Sequence, residues 1–270
     1  KEAAGIFFRN RLDAASESRR EESKDAEAVY NRLIKRIEGL QTLKRKHNVI
    51  EIAKAGEEGL GITGEEWDRD PMLLGCRNGV IDLASGQLMK GSPGQYIRTA
   101  APVDFRGLDV SAPHWETFLA SVFKDDDELI DFLRRLLGYA ITGLTTEHIL
   151  PIFWGHGRNG KSTLLEVLGF VLGKYAGRVD AELLLTHQSP RRAGTATPEI
   201  MALMGKRLVS ASETDDDRRL SNAMIKLLTG GDTLAGRELY GKRQVEFSPS
   251  HTIFLITNHK PRIAGNDYAL

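Results

Sequence analysis

The hydrophobic residues at the start of the chain recur at helical spacing. Across residues 1–54 they lie in a charged background with almost no glycine or proline, which predicts helices. The stripe fits either a coiled-coil seam or a small helical bundle, and its irregular spacing favours the bundle. The residues that form it are Tyr30, Leu33, Ile34, Ile37, Leu40 and Leu43.

Between about residues 59 and 105 the pattern changes to short apolar runs separated by turn residues. Asn78-Gly79 and Ser85-Gly86 are such turns, because glycine adopts the positive φ that tight turns require. The runs on either side of residues 84–86 predict a β-hairpin over residues 80–88. We interpret this part of the chain as a structural connector.

A helical pattern returns over residues 113–143. The acidic residues 125–128 stand directly before the second apolar helix of this stretch. They could belong to a metal site, but acidic side chains in this position more often cap a helix and complement its dipole. Capping is the preferred interpretation.

The next stretch has the order strand, glycine-rich loop, helix. Residues 149–154 form an apolar strand candidate, and apolar helical spacing follows the loop. The intervening pattern Gly-x4-Gly-Lys-Ser lets backbone amides surround phosphate oxygens at a helix N-terminus. Lys161 is predicted to contact the β and γ phosphates of ATP, and the Ser162 hydroxyl to contact Mg²⁺. The predicted nucleotide-binding residues are Gly155, Gly157, Asn159, Gly160, Lys161, Ser162 and Thr163.

A nucleotide hydrolase of this kind also needs a carboxylate at the end of a neighbouring strand. Residues 207–213 form a short β-prone run that ends in Glu213. Glu213 is the predicted water-activating residue and a predicted Mg²⁺ contact. Asp215 is an alternative candidate for the acidic residue that binds the metal, although residues 215–217 fit an acidic surface turn better.

A third strand is predicted over residues 251–257, and Asn258 follows it. An amide at a strand end beside a phosphate loop can hydrogen-bond the γ phosphate or the attacking water. An asparagine after a strand is usually a turn residue, but its place after the two preceding motifs favours the catalytic interpretation.

The composition limits the possible partners. With 270 residues, 41% of them hydrophobic, the chain can bury a sizeable core, and two units fit best. Its formal net charge is zero, so any DNA-binding surface must be local. Cys76 has no partner for an internal disulfide, which favours a reducing cytoplasm, and neither it nor the histidines have zinc-site spacing. Magnesium is the only metal predicted.

Four segments resemble the superfamily 3 helicases, most closely the phage and plasmid primase-helicases related to the poxvirus primase-helicase. The third is the most specific, since Lys226, residues 230–232 and Arg237 match a motif peculiar to these helicases. Upstream, residues 78–86 with Trp115 and Phe118 resemble the domain that precedes the motor. The four segments are residues 155–163, 207–213, 225–249 and 257–261.

The resemblance implies an α/β fold: an AAA+-like P-loop ATPase domain with a central parallel sheet, preceded by a helical and small β N-terminal domain. It implies a homo-hexameric ring that moves on single-stranded DNA, with ATP sites between subunits. Residues 241–243 resemble a hairpin that points into the ring and binds phosphates without reading bases; a solvated turn is the alternative. The predicted DNA-binding residues are Lys226, Arg237, Lys242 and Arg243.

The same resemblance predicts domain limits of 1–110 for the N-terminal domain and 111–270 for the ATPase domain. The family has an arginine finger shortly after the segment that contains Asn258, and this sequence stops at Leu270, just short of that position. We therefore expect a motor domain truncated before that arginine, with weak hydrolysis by itself. A primase domain or protein is an expected partner.

Three functions compete. The preferred one is an ATP-dependent helicase that replicates a phage, plasmid or other mobile element in the cytoplasm of a bacterial cell. An initiator or loader would use ATP only to order an oligomer on DNA. A small-molecule kinase would share the phosphate loop, but it has no need of the segment from Lys226 or of the strand before Asn258.

Overall fold

The computed structural model describes residues 24–55, 66–186, 196–212, 219–241 and 243–263, together with residues 10 and 61. Contacts divide the chain into two compact units, residues 1–64 and 65–270. The boundary predicted at residue 110 came from the domain limits of the resembled family. The division by contacts does not test it, so it stays a prediction. Within the described ranges, no helix has both the length and the apolar character needed to cross a membrane.

The first unit contains two helices in the stretch predicted to be helical over residues 1–54; residues 1–23, apart from residue 10, lie outside the described residues. Helix α1 spans Lys24–Gln41 and α2 spans Leu43–Lys54. Thr42 joins them, and its hydroxyl donates to the Gly39 carbonyl at 2.8 Å. The apolar stripe is buried at Ile37 but is 71% exposed at Leu43, so it does not continue into α2.

The second unit begins with a three-stranded antiparallel meander. Its strands are β1 (Leu73–Cys76), β2 (Gly79–Asp82) and β3 (Gln87–Met89). The predicted hairpin is confirmed, with Ile81 opposite Leu88. Its turn includes Gly86 at φ +70°, a conformation that glycine adopts without steric cost.

Two helices follow, α3 (Pro113–Phe123) and α4 (Asp127–Ile141). The Asp126 side chain accepts a hydrogen bond from the Leu129 backbone amide at 3.0 Å, and Asp127 and Glu128 occupy the first turn of α4. The acidic run therefore caps the helix as predicted.

A four-stranded parallel sheet lies at the centre of the unit. Its strands are β4 (Ile152–Trp154), β5 (Ala176–Asp180), β6 (Leu208–Ser212) and β10 (Thr252–Thr257), in the order β4-β10-β6-β5. Helix α5 (Lys161–Leu172) follows β4. The remaining elements are α6 (Pro198–Met201), β7 (Arg219–Leu220), α7 (Asn222–Thr229), β8 (Leu234–Gly236), β9 (Val245–Phe247), β11 (Arg262–Ile263) and 3-10 turns at Pro93–Gln95, Gly173–Tyr175 and Ala181–Leu184.

Strand β10 is apolar on both faces because both faces of the sheet are covered. Phe254 belongs to one hydrophobic cluster, which includes residues of α3, α4, α5 and the meander. Its neighbours Ile253 and Leu255 belong to a second cluster with α7 and β8. All three are at most 1% exposed, so this strand forms the middle of the core.

Candidate phosphate-binding site

The glycine-rich loop connects β4 to the first residue of α5. Gly160 precedes that helix at φ +83°, and its carbonyl accepts from the Leu164 amide at 2.9 Å. A Cβ at this position would lie 2.7 Å from Val122 Cγ2 on α3. Both the backbone conformation and the packing therefore require glycine here.

Two further glycines of the loop have different surroundings. Gly155 has φ +152°, and a Cβ there would lie 2.6 Å from Asn159 Nδ2; its amide donates to the Thr257 carbonyl at 3.3 Å. A Cβ at Gly157 would meet no atom within 4 Å, and its φ is not positive. The positive φ favours glycine at 155, because the Asn159 amide is the end of a side chain and can shift; neither φ nor packing requires glycine at 157.

The Lys161 ammonium lies among four oxygen acceptors. Its Nζ is 2.5 Å from the Gly155 carbonyl, 3.2 Å from the His156 carbonyl, 2.9 Å from Asn159 Oδ1 and 3.5 Å from Asn258 Oδ1. Partial burial lowers the pKa of this lysine. The contacts bring Asn258, 97 residues away in the chain, to the glycine-rich loop.

A pocket of about 260 Å³ opens beside this ammonium. The carboxyl ends of parallel strands meet at one edge of a sheet, which is where ligands bind in open α/β folds. The pocket lies at that edge. Its lining residues are 157–163 of the loop and α5, Ser212 at the end of β6, and Ile256, Thr257 and Asn258 at the end of β10.

Strand β6 lies in the predicted sheet, but it does not neighbour β4. Strand β10 lies between them, pairing with Ile152 of β4 through Leu255 and with Leu208 of β6 through Thr252. The expectation that the acidic strand would directly neighbour the loop strand is therefore wrong. A strand with two covered faces can occupy the centre, and β10 has the more continuous apolar run.

Glu213 follows Ser212 in the chain and lies outside the described residues, as do residues 215–217. Ser212 lines the pocket, and the sequence interpretation missed it. The sequence feature that could have identified Ser212 is its position at the end of the predicted strand. Within the described ranges, no group of three or more His, Cys, Asp or Glu side chains is arranged to hold a metal ion.

A second and larger cavity, about 850 Å³, is lined by β4 and shares Asn159, Gly160 and Lys161 with the smaller pocket. It is lined mainly by aliphatic and aromatic side chains of α3, α4 and the β4 segment, including Phe132 and Trp154. An apolar cavity does not stabilise phosphate charge. The smaller pocket is therefore the candidate site for phosphate, although Lys161 lines both.

The predicted DNA-binding residues occupy two elements. Arg237 and Arg243 lie in the loop of an antiparallel hairpin formed by β8 and β9, in which Leu234 pairs with Phe247. Lys226 is exposed on α7, and Lys242 lies outside the described residues. The structure thus brings the two arginines into one loop and leaves Lys226 on a separate helix.

Comparison with known proteins indicates viral relatives. Residues 2–124 match the family model described as D5 N terminal like. Over 203 residues the chain is 29% identical to an Acanthamoeba polyphaga mimivirus protein named "Putative helicase", covering 74% of this chain and 21% of that protein. It is 27% identical over 322 residues to a Frog virus 3 (isolate Goorha) protein that is also named "Putative helicase", covering 94% and 32%. The chain thus spans about a fifth to a third of these relatives' lengths.

Among solved structures, the A form of the apo NrS-1 C-terminal region (305-718) gives a TM-score of 0.47 at 16% identity. The match covers 83% of this chain and 50% of that one. The relationship to viral proteins named as helicases agrees with the primase-helicase resemblance, whereas membership of superfamily 3, the AAA+ fold and the missing arginine finger stay predictions.

Proposed function

We propose that this chain is the ATP-driven motor part of a DNA helicase that replicates a virus, phage, plasmid or similar mobile element. One observation carries the proposal. The Lys161 ammonium lies in a loop of backbone carbonyls within reach of Asn258, beside a pocket at the carboxyl edge of a parallel sheet. The names of the viral relatives support the same function.

Nucleotide binding would rest on the loop and on Lys161. Backbone amides at the start of α5 and the helix dipole favour negative charge at this point. When phosphate oxygens enter, the ammonium would exchange its carbonyl contacts for contacts with the β and γ phosphates. Partial burial, which lowers the pKa of Lys161, also strengthens its interaction with phosphate.

Magnesium fits the site as a partner of the bound nucleotide. Mg²⁺ usually takes one or two protein oxygens and completes its shell with water and phosphate oxygens. Ser162 lines the pocket and offers a hydroxyl, and Glu213 is the proposed carboxylate. The ion would neutralise charge that develops during phosphoryl transfer.

Asn258 is proposed to report the state of the γ phosphate. Its Oδ1 lies 3.5 Å from Lys161 Nζ, so both side chains can respond to the same phosphate group. Strand β10, which precedes Asn258, contacts both β4 and β6 and is buried in the core. A change at this amide can therefore reach the rest of the sheet.

The polymer substrate is proposed to be single-stranded DNA in the centre of a homo-hexamer. Four basic residues would bind the DNA phosphates irrespective of the DNA sequence: Arg237, Lys242 and Arg243 of the hairpin, and Lys226. Charge confined to such a channel reconciles DNA binding with a formal net charge of zero. A primase domain or protein is the proposed additional partner.

The test combines nucleotide binding, turnover and particle mass on the purified chain. ATP binding that is lost in Lys161→Ala and kept in Lys174→Ala, an exposed lysine of the same unit, is expected. A ring-sized particle with ATP, magnesium and single-stranded DNA, and turnover that rises with DNA, support a helicase. Assembly without any turnover would favour a loader, and DNA-independent phosphate transfer to a small acceptor would favour a kinase.

A further inference from the structure

The tip of the β8–β9 hairpin exposes an aromatic ring. Tyr240 is 94% exposed, the highest value for any large hydrophobic side chain in the described part of the chain. Leu239 beside it is 62% exposed. Two adjacent exposed apolar side chains form a small apolar surface, so the tip is a candidate contact surface.

The exposed ring belongs to a tight turn with a strained backbone. The Gly241 amide donates to the Glu238 carbonyl at 2.9 Å, which closes a turn with Tyr240 at φ +64°. A bulky side chain rarely adopts a left-handed conformation, and residues that do so occur often at functional sites. The turn therefore presents Tyr240 at some cost in backbone energy.

The base of the hairpin is anchored. The Thr197 amide donates to the Arg237 carbonyl at 2.9 Å, and the Arg237 amide donates to Thr197 Oγ1 at 3.0 Å. Leu234 is buried at the start of β8, and a Cβ on Gly236 would lie 2.8 Å from Met201 Sδ. The exposed tip thus extends from a fixed base.

Cationic side chains flank the ring in the sequence. Arg237 precedes it by three residues and Arg243 follows it by three, and Arg243 is exposed. An aromatic ring between groups that bind phosphate matches the way proteins bind single-stranded nucleic acid, with bases stacked on rings and the backbone neutralised by cations. In duplex DNA the base faces are already stacked on their neighbours, so an exposed ring selects unpaired bases.

We infer that Tyr240 stacks on an unpaired base and gives the hairpin its preference for single-stranded DNA. The inference rests on the proposed function and deepens it, because the basic residues by themselves would bind the phosphates of any strand. Leu239 extends the apolar surface on which the base lies.

The experiment measures binding of the wild-type chain and three variants to two oligonucleotides of equal length, one with bases and one made of abasic sites. Tyr240→Phe keeps the ring. Tyr240→Ala removes it, and Tyr240→Gly removes it while relieving the left-handed backbone. The particle mass of each variant with ATP and magnesium is recorded in parallel.

We expect Tyr240→Ala and Tyr240→Gly to lose about 5- to 100-fold in affinity for the DNA with bases. Both should match the wild type on the abasic strand, and Tyr240→Phe should match it on both. The slope of affinity against salt should not change, since no phosphate contact is removed.

Equal affinity of Tyr240→Ala and wild type for DNA with bases would overturn the inference. So would an equal loss on both strands, or a loss of particle mass, because the ring would then shape the hairpin or contact another subunit. A wild-type chain that binds neither strand would instead refute the proposed function itself.

Discussion

The guanidinium of Arg207 lies over the ring of Tyr175, with its central carbon 5.9 Å from the ring centroid. The two side chains are 2% and 1% exposed. Arg207 donates to the carbonyls of Pro71 at 3.0 Å and of Asp70 and Leu73 at 3.3 Å. The pair therefore joins the start of the antiparallel meander to the parallel sheet.

Tyr175 makes the matching contacts on its own side. Its hydroxyl donates to the Thr99 carbonyl at 2.6 Å and accepts from the Gly75 amide at 3.0 Å. Burial raises the pKa of this phenol to about 12. The phenol therefore stays protonated and keeps both hydrogen bonds at physiological pH.

Substitution Arg207→Ala is expected to lower the free energy of unfolding by about 3 kcal/mol, because three partly buried hydrogen bonds to carbonyls are lost and a cavity forms. Arg178→Ala is the control, since that side chain is 76% exposed and 3.9 Å from Glu166. It should change stability by less than about 0.5 kcal/mol. Urea denaturation of both variants measures the difference, and equal midpoints would contradict the structural role of Arg207.

Two glycines of the phosphate loop should respond differently to alanine. Gly160→Ala places a Cβ 2.7 Å from Val122 in a left-handed conformation and should cost about 1–3 kcal/mol of stability. Gly157→Ala meets no atom within 4 Å and should be close to neutral for folding. Thermal unfolding of the two variants without nucleotide separates these effects, and a larger loss for Gly157→Ala would reject the packing argument.

His251 should make stability depend on pH in the acid range. It is 3% exposed, neither ring nitrogen has a hydrogen-bond partner among the described residues, and burial lowers its pKa from 6.5 to about 4. The folded state therefore favours the neutral imidazole of His251 over the protonated one. The stability that this preference contributes, about 3 kcal/mol, is therefore complete above pH 6.5 and is lost as the pH falls towards 4.

The measurement is the free energy of unfolding between pH 7 and pH 4 for the wild type, His251→Leu and His114→Leu. The first variant removes the titrating group and should flatten the profile. The second removes an exposed histidine of α3 and should leave the profile as in the wild type. Parallel profiles for all three proteins would show that His251 does not carry the acid sensitivity.

The double variant Lys242→Ala, Arg243→Ala should keep ATP binding and weaken binding to single-stranded DNA. Loss of two phosphate contacts should reduce the slope of log affinity against log salt by roughly 1.4. Arg134→Ala with Arg135→Ala removes the same charge from α4 and serves as the control. Unchanged DNA affinity, or an affinity independent of salt, would rule out the hairpin as the phosphate-binding element.

Much of the local structure was predictable from the sequence. The hairpin over residues 80–88, the helix cap at Asp126 and the order of strand, glycine loop and helix around Lys161 depend on neighbouring residues only. Turn chemistry, capping and hydrophobic period act within a few positions, so the sequence displays them directly.

Only the tertiary structure decided the order of the strands and which residues lie together in the candidate site. The sequence placed Asn258 after one strand and residues 207–213 on another, but it could not show that β10 separates β6 from β4, or that Ser212 lines the pocket. Burial of Arg207 under the meander likewise had no sequence signal, since arginine is usually exposed. Which distant segments pair depends on how whole faces of the sheet and helices pack together. The packing energy comes from residues far apart in the chain, so it cannot be inferred from one short stretch of sequence.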